Sequence, residues 1–232
     1  MTDKYILFGG GVARDIVVRM VLEEGDVPYE VRFVDGVTGQ HRTAEFLKLN
    51  PAGYIPALVT PAGETLFETA AIMIWLLEEH EMLDLLPMPG DPDRAKFLAM
   101  LFYHTSEIQP STKRWFYPHR FSTEGASGRQ KVMGAAQEIL MDRWGVLDKM
   151  LSESGPYHLG ERFSVLDMHM AMWATYGIET VDDVNENFPA VAKVVEAAKA
   201  RPKSGYLLDE QRNEMLRWRG RTEHMTTKTG TY

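Results

Sequence analysis

The chain contains no cysteine. That absence excludes disulfides, thiolate-ligated zinc and any mechanism run by a protein thiolate. If the chemistry involves sulfur, the sulfur belongs to a ligand. Long apolar runs are also missing. The longest, Ala70 to Leu77, falls well short of the ~20 residues that span a bilayer and reads as a buried helix. Positive charge is in deficit, with 25 Lys and Arg against 33 Asp and Glu and a formal net charge of −8. An acidic surface repels phosphate, so neither nucleic acid nor a membrane is an expected partner. Met1-Thr2-Asp3-Lys4 runs into a strand-like segment without the basic and apolar regions of a secretory signal, so a cytoplasmic location is expected.

What is present suits a globular protein: 232 residues, 44% hydrophobic and 25% charged, enough for one large domain or two small ones. Tyr5-Ile6-Leu7-Phe8 reads as a buried strand ended by Gly9-Gly10-Gly11. A helix is predicted from about Val12 to Glu24, with Ile16, Val17, Met20 and Val21 on one stripe, stopped by Gly25. Tyr29 to Phe33 alternates apolar and charged, the pattern of a half-buried strand. After the loop Asp35 to Arg42 comes a short helix ending at Asn50-Pro51-Ala52-Gly53. Ala57 to Thr60 and Thr65 to Phe67 then read as a hairpin around Pro61-Ala62-Gly63-Glu64. Thr69 sits at the expected N-cap of a helix from Ala70 to His80.

Leu86 to Pro92 is rich in breakers and marks a linker at 85–91, separating an N-terminal domain at 1–84 from a second at 92–232. The second domain reads as all-helical, with helices at about Asp93 to Arg114, Gly128 to Ser152, Val165 to Tyr176 and Pro189 to Ala200. Its tail, from about 219, reads as loose. Ser164 and Asp167 form a capping box, with Phe163 and Met168 as its hydrophobic staple.

Four local motifs each carry two readings. Gly9-Gly10-Gly11-Val12-Ala13-Arg14, with Asp35 ending the next strand, approaches a dinucleotide fingerprint, but Arg14 occupies the position that needs a small residue. Pro56, opening a strand after Ile55, fits either an ordinary turn or a cis bond that offers the Ile55 backbone to a peptide-like ligand. Glu68-Thr69 starts a helix, which suits either simple capping or the carboxylate and ammonium of an α-amino-acid head group. Lys113-Arg114 and His119-Arg120 interleave with Trp115, Phe116 and Tyr117. That mix suits base stacking or, more simply, cations lying along aromatic packing.

Taken in order, Asn50-Pro51 through Ile55-Pro56 and then Glu68-Thr69-Ala70-Ala71-Ile72 resemble the N-P-x-G-x-V/I-P … E-S-x-A-I pattern of the glutathione transferase superfamily. Gly160 to Asp167 resembles the capping motif of that family's helical domain, and the resemblance runs over roughly residues 4 to 200. It implies an α/β thioredoxin-like N-terminal domain, an all-α C-terminal domain and a homodimer. It also implies glutathione as co-substrate and no metal. Ile55 and Pro56 would meet the cysteinyl backbone, Glu68 and Thr69 the γ-glutamyl end, and His41 the glycyl end. Gln109, in a zeta-like Ile108-Gln109-Pro110 segment, would reach glutathione from the helical domain. Lys113, Trp115 and Tyr117 would edge the second-substrate pocket.

One departure is plain. Where the family carries a thiolate-stabilising Ser, Cys or Tyr, this chain has Val12 and Phe8, and neither donates a hydrogen bond. Stabilisation would have to come from amides at the start of the first helix with Arg14 nearby, or from Tyr5 or Tyr117 reaching in. The expected function is a glutathione transferase that activates the thiol for attack on an electrophilic, largely apolar small molecule. The rival is a non-catalytic binding or regulatory protein on the same scaffold.

Overall fold

The computed structural model describes residues 3–12, 14–176, 184 and 186–222, with side chains as far as 217. Its first third builds one mixed sheet. Strand β1 (Tyr5–Gly9) pairs in parallel with β2 (Tyr29–Phe33) and antiparallel with β3 (Ala57–Val59), which continues into the hairpin partner β4 (Thr65–Phe67). The order is β2-β1-β3-β4. An antiparallel β3 beside β1 is the thioredoxin-like arrangement and removes the dinucleotide reading, which needs a further parallel strand there.

Helix α1 (Arg14–Glu24) crosses from β1 to β2, and α2 (Ala44–Leu49) and α3 (Thr69–Glu79) complete this part. The sequence suggested one apolar stripe on α1. Instead Ile16, Val17, Val18, Met20, Val21 and Leu22 are all buried, because α3 covers one side while the helices Val165–Tyr176 and Tyr206–Thr222 of the helical part cover another. The half-buried reading of β2 is also corrected. As a sheet edge it leaves Val31 40% and Phe33 59% exposed.

The remainder is helical: α4 (Arg94–Tyr103), α5 (Gln109–Phe116), α6 (Gly125–Ser154), α7 (Val165–Tyr176), α8 (Pro189–Lys199) and α9 (Tyr206–Thr222). Among the described residues its only β pairing is two isolated bridges, Tyr157 with Gly160 and Leu159 with Arg162. The single helix expected from Asp93 to Arg114 is interrupted by a π turn at His104–Ile108. Pro110, in the first turn of α5, has no N–H to continue the α-helical ladder, and the wider turn absorbs the lost bond. Helix α9 was not anticipated. Residues 219–222 of the expected loose tail belong to it, and 223–232 lie outside the described residues.

The capping box forms with a changed partner. The Asp167 carboxylate accepts from the Ser164 N–H at 2.7 Å, but Ser164 Oγ accepts from Leu166 N–H, at 3.3 Å, rather than from Asp167. The other Asp167 oxygen accepts from His158 N–H at 3.0 Å and faces His158 Nδ1 at 2.8 Å. His158 Nε2 meets His104 Nε2 at 3.2 Å, and Trp173 Nε1–H donates to His169 Nε2 at 3.0 Å. Three histidines are thus held in the middle of the helical core, all buried. Among the described residues, no group of three or more His, Asp or Glu is arranged to hold a metal ion.

Candidate functional site

The sheet brings the sequence motifs together at one end. Phe8 pairs with Ala57, and Ala57 with Phe67. One step beyond that register stand Gly9, Pro56 and Glu68, side by side. The Ile55-Pro56 bond is cis, as the second of the two readings expects. Asn50, buried beneath the preceding loop, holds it: Asn50 Nδ2 donates to Tyr54 O at 2.6 Å, and Oδ1 accepts from Ala52 N–H at 3.0 Å. A Cβ on Gly10 would come within 2.8 Å of Ile55 Cδ1. The glycine turn therefore packs directly against the strand-opening loop.

Glu68 occupies the N-cap position with φ 70° and ψ 113°, and its side chain makes no cap bond. The helix begins at Thr69, one residue earlier than expected. A non-glycine residue in that backbone region costs of order 1–3 kcal/mol, which surrounding structure must impose. Thr69 is 5% exposed and its Oγ1 is buried without a hydrogen-bond partner. A hydroxyl so placed, at a helix start whose first amides point outward, is suited to an anionic ligand group.

The first-strand end is different from what the family pattern predicts in a second way. Asp15, 1% exposed, accepts the Gly11 N–H at 2.8 Å through Oδ2. That amide is therefore occupied and is removed from the expected set of thiolate donors. Burial pushes the Asp15 carboxyl up to about 6, against the Gly11 bond and the nearby Arg19 and Arg14. Tyr5 is also committed, its hydroxyl 2.9 Å from His80 Nε2. Arg14 remains at the mouth of the turn.

Tyr54, which the sequence reading passed over, is the centre of the site's charge. The Lys113 ammonium lies 4.4 Å from its ring centroid and donates to its hydroxyl at 3.1 Å. Arg42 and Arg14 approach the same ring at 5.2 and 5.6 Å. The Lys113 hydrogen bond is the main cause of a Tyr54 hydroxyl held below the ordinary phenol range. His41 is beside this group. Burial first, then Arg42 and Arg120, disfavour its protonated form, and its Nδ1 is buried without a partner. Arg120 lies over the Tyr117 ring at 4.5 Å, and Tyr117 faces Tyr176 across 3.4 Å between hydroxyls. Burial holds the Tyr176 phenol well above its usual range, with Tyr117 adding to the effect.

Of the residues expected at the site, Arg14, His41, Ile55, Pro56, Glu68, Thr69, Lys113 and Tyr117 converge here. Gln109 stands half-buried one turn before Lys113 on α5. Trp115 turns inward. It is buried edge-on against Phe116, at 4.8 Å between centroids, so Phe116 and Tyr176 carry the aromatic wall instead. Tyr54 and Asn50 were readable only as parts of a motif, since nothing local distinguishes them from loop residues.

Comparison with known proteins bears on the family and the fold. The family model for the glutathione S-transferase N-terminal domain matches residues 17–80. An uncharacterised GST-like protein of Escherichia coli, YncG, is 28% identical over 182 residues, covering 77% of this chain and 86% of its own length. Glutathione S-transferase F14 of Arabidopsis thaliana is 28% identical over 188 residues, covering 78% and 73%. Among solved structures, a glutathione transferase family member from Pseudomonas fluorescens, described with two glutathione bound, superposes with a TM-score of 0.74. It is 26% identical and is covered to 92% by 89% of this chain. A thioredoxin-like sheet with a cis-proline loop, a helical second part, an N-terminal match to the glutathione S-transferase domain and relatives of that name together support the glutathione transferase superfamily.

Proposed function

We propose that this protein is a glutathione transferase that binds reduced glutathione at the end of the sheet and presents its sulfur to an electrophilic small molecule. The observation that carries this is the unpartnered, buried Thr69 hydroxyl beside Glu68, in register with the cis Pro56. The γ-glutamyl carboxylate fits Thr69 and the first amides of α3, and its ammonium fits Glu68. The cysteinyl backbone pairs with Ile55 as an added strand. The glycyl carboxylate meets His41 and Arg42, and Gln109 approaches from α5. Arg14 stabilises the thiolate through space, which lowers a thiol pKa without any hydroxyl. Residues 1–84 and 92–232 act as the two domains. A homodimer in the cytoplasm belongs to the same reading, with Phe102, 65% exposed on α4, as surface a second subunit would cover.

The test is calorimetry with reduced glutathione, followed by the thiolate absorbance of the bound complex and turnover of an electrophile panel. Binding that weakens in Glu68→Ala, with a thiol ionising below its solution range, is the expected result. Unaltered turnover by that variant would remove the assigned site.

A second reading has its own support. With Val12 and Phe8 unable to donate and the Gly11 amide committed to Asp15, the same scaffold would serve as a glutathione-binding or regulatory protein. Binding without any lowering of the thiol pKa would decide for it.

A further inference from the structure

Four cations gather where the N-terminal and helical parts meet: Arg14, Arg42 and Lys113 around Tyr54, and Arg120 over Tyr117. Arg120 acts electrostatically on both His41 and Tyr176, and Arg14 also acts on Tyr176, so the two groups are continuous. Among the described residues none of the four makes an ion pair, whereas Arg19, Arg143, Arg162 and Arg201 are each matched by a carboxylate. Acids outnumber bases in the chain, so composition alone does not leave cations unmatched. They are segregated. Asp15 acts on Arg14 from inside the fold, but burial draws that carboxyl toward its neutral form.

A neutral ring returns only about 0.5–1 kcal/mol per exposed cation, which does not offset like charges brought to one ring. On the glutathione reading, a single glycyl carboxylate comes to this end of the site and is assigned to His41 and Arg42. That assignment leaves Lys113 and Arg120, both from the helical part, for the second substrate. An apolar group seated there would strip water from unpaired cations, a cost of several kcal/mol.

We propose that the second substrate carries a carboxylate-type anionic group, seated between Lys113 and Arg120 beside the Tyr54 and Tyr117 rings. This rests on the glutathione reading above and replaces a wholly apolar electrophile with one that has an apolar body and an anionic end. Phe116 and Tyr176, with centroids 4.6 Å apart, supply the apolar surface next to Tyr117. In the reaction the glutathione sulfur forms its bond to the electrophilic carbon as that carbon's leaving group departs with the bonding pair. The thiol proton has already passed to solvent.

The experiment compares para-chloromethylbenzoate with its neutral twin, para-chloromethylbenzamide. In both, C–S forms, C–Cl breaks and chloride leaves. The expected kcat/KM favours the benzoate by about tenfold, with the preference shrinking as salt screens the cations. The preference falls toward unity in Lys113→Gln and Arg120→Gln and is retained in Arg120→Lys. Because the ratio is taken within each variant, a partly unfolded preparation does not alter it. Equal rates for the twins, or a benzoate preference intact in both Gln variants, would overturn the proposal. So would loss of the preference at saturating glutathione, which would assign the cations to a second tripeptide. If neither twin turns over, the transferase reading fails separately from the cation cluster, and calorimetry with para-methylbenzoate against para-methylbenzamide still decides. The anion binding tighter by about tenfold supports the cluster, and equal affinities sink it.

Discussion

The Lys113 ammonium both donates to the Tyr54 hydroxyl, at 3.1 Å, and stands over its ring, tying α5 to the loop that carries Ile55 and the cis Pro56. A phenol that accepts from an ammonium ionises more easily, because the anion is the better acceptor. Alkaline titration followed by tyrosinate absorbance should therefore contain one early component. Tyr54→Phe should delete it, and Lys113→Gln should move it up into the bulk of the tyrosines. An unchanged curve in both variants would break the assignment.

The buried histidines predict sensitivity to acid. Burial is the main reason that His104 is held well below its ordinary pKa and His169 at about 3. A histidine whose folded pKa is depressed leaves the unfolded chain binding more protons below ~6.5. The stability is complete above that pH and is lost as pH falls toward 3, at about 1.4 kcal/mol per pH unit for each histidine fully engaged. Asp15, raised to about 6, works in the opposite direction between ~3.8 and 6, since its folded form takes up a proton the unfolded chain does not. Two histidines outweigh one aspartate. Urea unfolding should thus show a lower midpoint at pH 5 than at pH 7, and His169→Phe should flatten the dependence. Equal midpoints for the parent at the two pH values would contradict the buried-histidine account.

Asp167 is the anchor of that network, accepting from His158 N–H and Ser164 N–H and facing His158 Nδ1, with no exposure of its own. Asp167→Asn replaces an acceptor-only carboxylate by an amide that must turn two donors toward other donors. The expected loss is about 2–4 kcal/mol, read as a fall in unfolding free energy. A loss under about 0.5 kcal/mol, the size of an ordinary surface change, would mean that the network carries little.

Glu68 separates stability from binding. At φ 70° its backbone is strained, and glycine adopts that region freely. Glu68→Gly is expected to raise unfolding free energy by about 1 kcal/mol while weakening glutathione by about tenfold or more, through loss of the partner for the ligand ammonium. Denaturant titration and calorimetry on the same preparation read the two effects. A variant that is weaker in both would place Glu68 among structural residues only.

What could be read from the chain beforehand follows the range of the signal. Tyr29 to Phe33 and Val165 to Tyr176 match their final bounds because periodicity and capping are local. The Glu68-Thr69 and Ile55-Pro56 motifs lie within a few residues of each other's strands, so hairpin register alone unites them. Tyr54 escaped notice because its partners Arg14, Arg42 and Lys113 come from three distant segments. Asp15 escaped for the same reason, since no local pattern shows that a carboxylate will turn back onto Gly11. Trp115 is expected at the pocket edge but is buried against Phe116, because which face of α5 meets the core depends on distant helices that no local pattern shows. Among its described side chains, helix α9 offers Leu207, Leu208 and Met215 as buried apolar anchors among polar residues, too sparse a stripe to declare a helix.

Arg14 then carries the remaining question of thiol activation. Its guanidinium sits 5.6 Å from the Tyr54 ring centroid and has no carboxylate at ion-pair distance among the described residues. With the Gly11 amide committed to Asp15, the through-space cation is the group to which the proposal assigns the thiolate. Arg14→Gln should leave about three- to tenfold less bound thiolate at neutral pH, because a half-exposed charge acts through partial screening. Arg14→Lys should restore most of it, since the effect depends on charge rather than on a fixed hydrogen bond. The measurement is the ultraviolet titration of glutathione bound to each variant at saturation. Glutamine and lysine variants that titrate alike would remove Arg14 from the chemistry and leave the activation to an amide of the glycine turn.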